Sequence, residues 1–282
     1  MNQNFVHYTS QNNKLNISVY GIENLAFAPC LIFVHGFKGF KDWGFGQYIG
    51  NYFAEKGFFV LSFNFSHNGV GDSLTEFTEL DKFAQNTFSL EVEELGEIID
   101  LYRSNFFGQT KNEKIFLLGH SRGGAISLLT AFQRKEVTAV AVWSCVSTFD
   151  RYSNRQKEEW RKKGFFEVFN TRTKQAMRLN VSLLDDLEKH KNDSLNIEKA
   201  VRELKRPLFI AHGDQDLAVP IKEAKLIYEW SDKRITEFYK IEGTGHTFNC
   251  KHPFACLAGR QEGSNAKFDL LLEKTYNFYF QH

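Results

Sequence analysis

Apolar residues occur along the chain in short runs separated by mixed segments, and these runs predict β-strands. LIFV (31–34) is continuous, as in a strand that is buried on both faces. KLNISVYG (14–21) partly alternates, which indicates an edge strand or a hairpin. Further strands are predicted at FFVLSFNF (58–65), KIFLLG (114–119), VTAVAVWSC (137–145), PLFIAHG (207–213) and ITEFYKIEG (235–243).

Helical spacing fills most of the intervals between these runs. The clearest helix is 85–105, where Leu90, Leu95 and Ile98 fall near one face and acidic residues lie opposite. Strands that alternate with helices pair in parallel, so the pattern predicts an α/β fold with one mostly parallel sheet and helices on both faces. The other predicted helices are 43–56, 122–133, 220–231 and 264–280.

The interval 147–206 breaks this rhythm, because it is far longer than one crossover connection needs. It contains the charged stretch RQKEEWRKKG and the amphipathic stretch VSLLDDLEKH. We interpret it as a cap inserted over the carboxyl ends of the strands, with residues 1–146 and 207–282 forming the core domain. The alternative is an ordinary crossover helix with a long surface excursion.

The composition is that of an ordinary globular protein. Apolar residues make up 42% of the 282 residues and charged residues 24%, and the formal net charge is +1. This balance creates no overall field toward nucleic acid or membrane, and no apolar run is long enough to span a bilayer. The N-terminal stretch MNQNFVHYTS lacks the pattern of a signal peptide. We therefore expect a cytoplasmic protein without nucleic-acid or membrane partners; a homodimer is left open.

The four cysteines, Cys30, Cys145, Cys250 and Cys256, form no CxxC pair. Reduced and mostly buried thiols suit a cytosolic protein. A bridge between Cys250 and Cys256 is geometrically allowed and stays open.

The segment GHSRGG (119–124) joins a predicted strand to a predicted helix, with Ser121 at the corner. Glycines at 119 and 123 permit the crowding of such a tight turn, and the serine hydroxyl would stand clear of the backbone. A serine hydroxyl needs a neighbouring base to act as a nucleophile. The alternative is a serine that only caps the helix, because serine is a common N-cap residue.

Acidic residues and a histidine follow two later strands. HGDQDLAVP places Asp214 and Asp216 just beyond one strand, and EGTGHTF places His246 beyond the next. Because catalytic groups of open α/β sheets collect at the carboxyl ends of the strands, these side chains are candidates to meet Ser121. A histidine titrates near neutral pH and suits the role of base, and a carboxylate can fix its tautomer.

A carbonyl under attack develops an oxyanion, which needs preorganised hydrogen-bond donors. The backbone N–H of Arg122, directly after the serine, is one candidate donor. The other is the backbone N–H of Phe37, which lies in HGFKGF (35–40) after the strand at 31–34.

Together, HGF, GHSRGG, HGDQDLAVP and GTGHTF resemble the α/β-hydrolase family from about residue 30 to the end of the chain. Within that family the chain is similar to the cinnamoyl and feruloyl esterases and to the dienelactone hydrolase-like serine carboxylesterases. Arg122 departs from the family pattern, since many relatives have Gln or Met at that position.

The resemblance implies Ser121 as nucleophile, His246 as base and Asp216 as acid. Asp216 is preferred because the family pattern HGxxDxxVP places the acid before the xxVP step, so that Asp214 would brace the turn. The resemblance also implies hydrolysis of small acyl or aryl esters, including hydroxycinnamoyl esters, without a cofactor. An inserted subdomain at 147–206 matches the feruloyl esterases.

Four other side chains are candidates for substrate binding: His35, Trp143, Trp160 and Phe165. His35 either braces the oxyanion loop or contacts substrate, and Trp143 either lines the pocket or fills the core. No HxH, HExxH or Cys/His cluster predicts a metal site.

Two other functions stay open. GxSxGG and HGDxDxxV also occur in prolyl-oligopeptidase-like hydrolases, which would predict a peptidase or amidase, although the chain has no room for a propeller domain. A non-catalytic binding protein on the same fold is the third interpretation. Such proteins usually lose a member of the triad, and here all three residue types are present.

Overall fold

The computed structural model describes residues 2–71, 76–252, 256–257, 260–261 and 265–282. The strands are β1 (Gln3–Tyr8), β2 (Lys14–Tyr20), β3 (Cys30–Val34), β4 (Phe59–Asn64), β5 (Ile115–His120), β6 (Val137–Trp143), β7 (Phe165–Asn170), β8 (Gln175–Asn180), β9 (Leu208–Gly213), β10 (Thr236–Ile241), β11 (Cys256–Leu257) and β12 (Arg260–Gln261). The helices are α1 (Gly46–Glu55), α2 (Leu80–Gln85), α3 (Phe88–Arg103), α4 (Arg122–Gln133), α5 (Asn154–Lys163), α6 (Val181–His190), α7 (Ile197–Glu203), α8 (Lys222–Trp230) and α9 (Ala266–Phe280).

The central sheet has the strand order β1-β2-β4-β3-β5-β6-β9-β10. β1 and β2 form an antiparallel hairpin, and β2 also pairs antiparallel with β4. From β4 to β10 all neighbours are parallel. The predicted α/β fold with a mostly parallel sheet is therefore confirmed, and KLNISVYG is the second strand of an edge hairpin.

The inner strands are buried on both faces, because helices cover the sheet on both sides. In β3, Leu31 and Phe33 pack in a core cluster with side chains of α1 and α9. Ile32 and Val34 point the other way and pack in a second cluster with α3 and α4. Continuous apolar runs are the pattern expected of such two-sided burial.

The segment 147–206 contains α5, the β7–β8 hairpin, α6 and α7. α5 carries the charged stretch and begins at Ser153 with a capping box, and α6 carries the amphipathic stretch. The hairpin was not predicted from the sequence; β7 and β8 pair antiparallel and bury Met177 and Leu179 on one face. α7 packs against α4 and α8, two helices outside this segment. The division into core domain and cap stays a prediction.

Cys30, Cys145 and Cys250 are buried free thiols. The side chain of Cys256 lies outside the described residues, and so does the suggested Cys250–Cys256 pair. In the described part of the chain, no helix combines the length and the apolar character that crossing a membrane requires.

Candidate active site

Ser121 occupies a strained corner between β5 and α4. Its backbone has φ 58° and ψ −122°, a conformation that non-glycine residues rarely adopt. The helix that follows lies very close to β3, and glycine makes this approach possible, since a Cβ at Gly123 would be 2.3 Å from the carbonyl oxygen of Val34. The Ser121 side chain makes no capping hydrogen bond to the helix, so the capping alternative is not what the structure shows.

The three residues implied by the resemblance lie in hydrogen-bonding contact. Ser121 Oγ is 3.1 Å from Nε2 of His246, and Nδ1 of His246 is 2.7 Å from Oδ2 of Asp216. If Nδ1–H donates to the carboxylate, the lone pair on Nε2 is free to accept the serine proton. That is the tautomer a general base requires at this position.

Asp216 is held as a carboxylate in a buried position. Its Oδ1 accepts backbone N–H groups of Ala218 at 2.9 Å and Val219 at 2.8 Å, and Nε2 of His212 lies 3.4 Å from Oδ2. Burial alone would raise the pKa of Asp216, but the hydrogen bonds from His212 and His246 outweigh it and hold the pKa well below its usual range. The group is therefore negatively charged at any pH at which the protein would work.

Asp214 makes a hydrogen bond between two loops and does not contact His246. It is exposed, and its Oδ1 accepts the backbone N–H of Gly243 at 2.7 Å. It thereby ties the loop after β9 to the loop after β10, the two loops that carry Asp216 and His246.

Two more histidines support the site in their neutral form. His120 donates from Nε2 to the backbone carbonyl of His246 at 2.9 Å, and burial followed by the charge of His246 lowers its pKa to about 3. Burial likewise lowers the pKa of His35 to about 4. Nδ1–H of His35 donates to the carbonyl of Gly36 at 3.0 Å, and Nε2 accepts the N–H of Phe65 at 3.3 Å. His35 thus braces its loop, and its ring also borders the cavity described below.

The loop after β3 presses directly on the serine corner. A Cβ at Gly36 would be 2.9 Å from both the Cβ of Ser121 and the carbonyl oxygen of His120. Only glycine allows this approach without displacing the serine. The next residue is Phe37, so the two chain segments that carry the backbone N–H groups of Phe37 and Arg122 meet at this corner.

The side chain of Arg122 is buried and contacts two aromatic rings and a carboxyl group. Its guanidinium lies 4.1 Å from the ring centroid of Phe37 and 4.8 Å from that of Phe88, and Nη1 is 3.2 Å from Oε1 of Glu91. Asn86 also donates to Oε1 of Glu91, at 2.6 Å. The departure from the family pattern at residue 122 is therefore accommodated by a buried ion pair whose guanidinium also contacts two aromatic rings.

Breaking this buried pair is expected to destabilise the fold. Glu91→Gln leaves a guanidinium without its charged partner, and Arg122→Met leaves a buried carboxyl, so each should lower the free energy of unfolding by about 3 kcal/mol or more. The double variant should lose less than the sum of the two, because it leaves no unpaired charge. Urea unfolding at pH 7 measures all three values.

The control is Glu159→Gln, which breaks the exposed Arg155–Glu159 pair of α5. An exposed pair contributes little, so the loss should stay below about 1 kcal/mol. Additive losses at residues 91 and 122 would show that the two side chains do not act as a pair.

Ser121 and His246 open into a cavity of about 550 Å³. Eight aromatic side chains of the described chain border it: Phe33, Phe37, Phe40, Trp43, Phe45, Phe88, Phe149 and Tyr152. Phe88 and Phe149 stack face to face, with ring centroids 4.2 Å apart. The cavity is therefore suited to flat or apolar ligands.

Three of the predicted pocket residues lie elsewhere. Trp143 is fully buried, and its Nε1 donates to Thr275 of α9 at 3.2 Å, so it fills the core. Trp160 is buried against Tyr152 and Phe166 and does not border the cavity. Phe165 lies under the guanidinium of Arg178, away from the cavity. These assignments are corrected: the direction of an aromatic side chain depends on packing that the sequence does not specify.

Sequence reasoning missed several side chains that do border the cavity, among them Trp43, Phe149 and Tyr152. Each lies in a segment that directly follows the carboxyl end of a strand, β3 or β6. Their position after the carboxyl end of a strand is the sequence feature that could have identified them. Among the described residues, no cluster of His, Cys, Asp or Glu could hold a metal ion.

The fold and the serine corner are those of an α/β hydrolase. The family model described as serine aminopeptidase, S33, matches residues 28–194, and the chain belongs to this family. A Mycoplasma genitalium protein that is named as an esterase/lipase is 25% identical over 260 residues, which cover 85% of this chain and 90% of that protein.

Solved structures share the whole fold. Est1E from Butyrivibrio proteoclasticus with ferulic acid bound has a TM-score of 0.70 and 18% identity, with 98% of each chain covered. A monoacylglycerol lipase from Paleococcus ferrophilus has a TM-score of 0.64 and 16% identity, covering 94% of this chain and 99% of that one. At such identities the likeness concerns the fold.

Proposed function

We propose that this protein is a serine hydrolase that cleaves carboxylic esters through an acyl-enzyme intermediate. The observation that carries the proposal is the hydrogen-bonded series from Ser121 Oγ through His246 to the buried carboxylate of Asp216, at 3.1 and 2.7 Å. The family membership and the esterase/lipase relative support it.

In the first half of the reaction, Ser121 Oγ attacks the ester carbonyl while Nε2 of His246 takes the hydroxyl proton. The carbonyl oxygen becomes an oxyanion that accepts hydrogen bonds from the backbone N–H groups of Phe37 and Arg122. His246 then gives its proton to the departing alkoxide oxygen, the C–O bond breaks, and the acyl group stays on Ser121. Asp216 stabilises the imidazolium that exists between these two proton transfers.

In the second half, water takes the place of the alcohol. His246 removes a proton from the water as its oxygen attacks the acyl carbonyl. The bond to Ser121 Oγ then breaks, the serine regains its proton from His246, and the carboxylic acid leaves.

The substrates we propose are esters with small acyl or aryl groups, hydroxycinnamoyl esters included. The aromatic lining of the cavity supports this class, as does the fold shared with Est1E, whose structure holds ferulic acid. We also propose that 147–206 acts as a cap, since Phe149, Tyr152, Val168 and Arg172 from this segment border the cavity.

Peptidase activity is the second candidate function, because the description of the family names a serine aminopeptidase. An aminopeptidase must bind the positively charged amino group of its substrate. None of the cavity-lining residues that the structure describes is Asp or Glu, whereas Lys38, Arg151 and Arg172 border it. The charges around the site therefore favour an ester over an α-amino peptide.

A comparison of two chromogenic substrates tests the proposal. The protein should hydrolyse 4-nitrophenyl butyrate with a kcat/KM at least about 100-fold above that for an aminoacyl 4-nitroanilide, because the described lining residues offer no carboxylate for the ammonium group, which corresponds to a loss of about 2.7 kcal/mol or more. A fluorophosphonate probe should label Ser121 in the same preparation, as judged by mass spectrometry of the modified peptide. Faster anilide hydrolysis would support the peptidase, and an unlabelled protein would support a binding function.

A further inference from the structure

The basic side chains around the cavity are unequally neutralised. Arg122 pairs with Glu91, as described above, and Nη1 of Arg151 lies 2.6 Å from Oε1 of Glu223. These two pairs carry no net charge toward a ligand. Two further cations, at residues 38 and 172, have no such partner within the described part of the chain.

Lys38 and Arg172 lie where the turn of the β7–β8 hairpin meets the loop after β3. Nζ of Lys38 donates to the carbonyl of Phe169 at 3.2 Å, and Nη2 of Arg172 donates to the carbonyl of Lys38 at 2.5 Å. Both side chains therefore use backbone carbonyls as acceptors, and each keeps N–H groups available for another acceptor. Lys38 is half-buried and Arg172 is exposed, so the pair marks the mouth of the cavity.

The two cations lie beside aromatic rings and close enough for the charge of one to act on the other. The guanidinium of Arg172 stacks 4.9 Å from the ring centroid of Trp43, and Nζ of Lys38 lies 5.7 Å from that of Phe37. Burial, followed by the charge of Arg172, lowers the pKa of Lys38. An anion between the two groups would relieve this repulsion and would accept the free N–H groups. A guanidinium beside an ammonium matches the planar, singly charged carboxylate.

We propose, on the basis of the proposed ester hydrolysis, that Lys38 and Arg172 form a carboxylate-binding subsite at the mouth of the cavity. Its ligand is a carboxylate carried by the ester substrate, remote from the scissile bond. The enzyme accordingly selects half-esters of dicarboxylic acids over neutral esters of the same shape.

The test uses pairs of methyl esters that differ in one group. Monomethyl esters of straight-chain dicarboxylic acids, from glutarate to suberate, are compared with the matching methyl esters that end in a carboxamide. In the wild-type protein the kcat/KM for the best carboxylate should exceed that for its amide by about 10-fold or more. This ratio should fall about 10-fold in Arg172→Gln and in Lys38→Met, and it should decrease with added salt because the site is partly exposed.

Lys174→Gln is the matched control, since Lys174 is an exposed cation of the same hairpin turn that does not border the cavity. It should leave the ratio within about twofold of the wild-type value, because a solvated charge outside the site is largely screened. An equal loss of the ratio in Lys174→Gln would show that only the general field of the hairpin matters and would overturn the subsite. An unchanged ratio in both Arg172→Gln and Lys38→Met would overturn it as well.

Binding in the Ser121→Ala background separates this proposal from the proposed reaction. Calorimetry of the same ester pairs measures the preference for carboxylate without any turnover. A preference that depends on residues 38 and 172 supports the subsite even if the wild-type protein hydrolyses no ester. Equal affinities for carboxylate and carboxamide would refute the subsite even if ester hydrolysis is found.

Discussion

Ser121→Ala is expected to lower the kcat for 4-nitrophenyl butyrate by about 10⁴-fold or more, because no other group in the proposed mechanism can form the acyl intermediate. Stability should change little. The serine hydroxyl makes no capping bond to α4, and alanine keeps the same backbone corner. Initial rates and thermal unfolding of the two proteins provide the measurement.

Ser66 is a useful control, because it also lies beside a histidine and an acidic residue. Its hydroxyl lies 2.6 Å from Nδ1 of His67 and also contacts the carboxyl group of Glu94, a second grouping of serine, histidine and acid. Ser66 does not border the large cavity, so Ser66→Ala should retain activity and probe labelling at Ser121. If Ser66→Ala abolished turnover while Ser121→Ala did not, the nucleophile would have to be reassigned.

Asp216→Asn is expected to reduce kcat by about 10³- to 10⁴-fold with little change in KM. An asparagine can present an N–H to His246, which favours the tautomer that has its proton on Nε2 and so cannot accept the proton of Ser121. It also removes the negative charge that stabilises the imidazolium. Steady-state kinetics on the same ester measure the effect.

Asp214→Asn is the matched control, two residues away in the same loop. The amide oxygen of asparagine can still accept the N–H of Gly243, so kcat should stay within about threefold of the wild-type value, as for an exposed surface substitution. A large loss in Asp214→Asn together with near-normal activity in Asp216→Asn would reverse the assignment of the acid.

Much of the fold can be predicted from the sequence, because a strand that is buried on both faces consists of a continuous run of apolar residues. The inner strands β3, β5 and β9 were predicted within a residue or two of their observed ends for this reason. The β7–β8 hairpin was missed. FFEVFN and QAMRLN are short, their faces are only partly buried, and they lie between charged helical segments, so their alternation is weak beside the helical signal.

The candidate site, too, could be predicted from the sequence only in part. The sequence places a serine after β5, two aspartates after β9 and a histidine after β10, and the sheet topology brings such positions together. The environment of Arg122 could not be predicted, since Glu91 comes from a helix packed against α4 and Phe88 from the start of that helix. Trp143, the last residue of β6, likewise points into the core, and the direction of its side chain is decided by tertiary packing.

The proposed catalytic residues and the hairpin that borders their cavity come from different parts of the chain. Ser121, Asp216 and His246 follow strands of the central sheet, whereas the 171–174 turn belongs to the hairpin of the segment 147–206. Exchanging that turn can therefore alter which molecules enter without disturbing the bond-breaking machinery. Selection for a new substrate, in nature or in a directed-evolution library, can therefore act on this short turn.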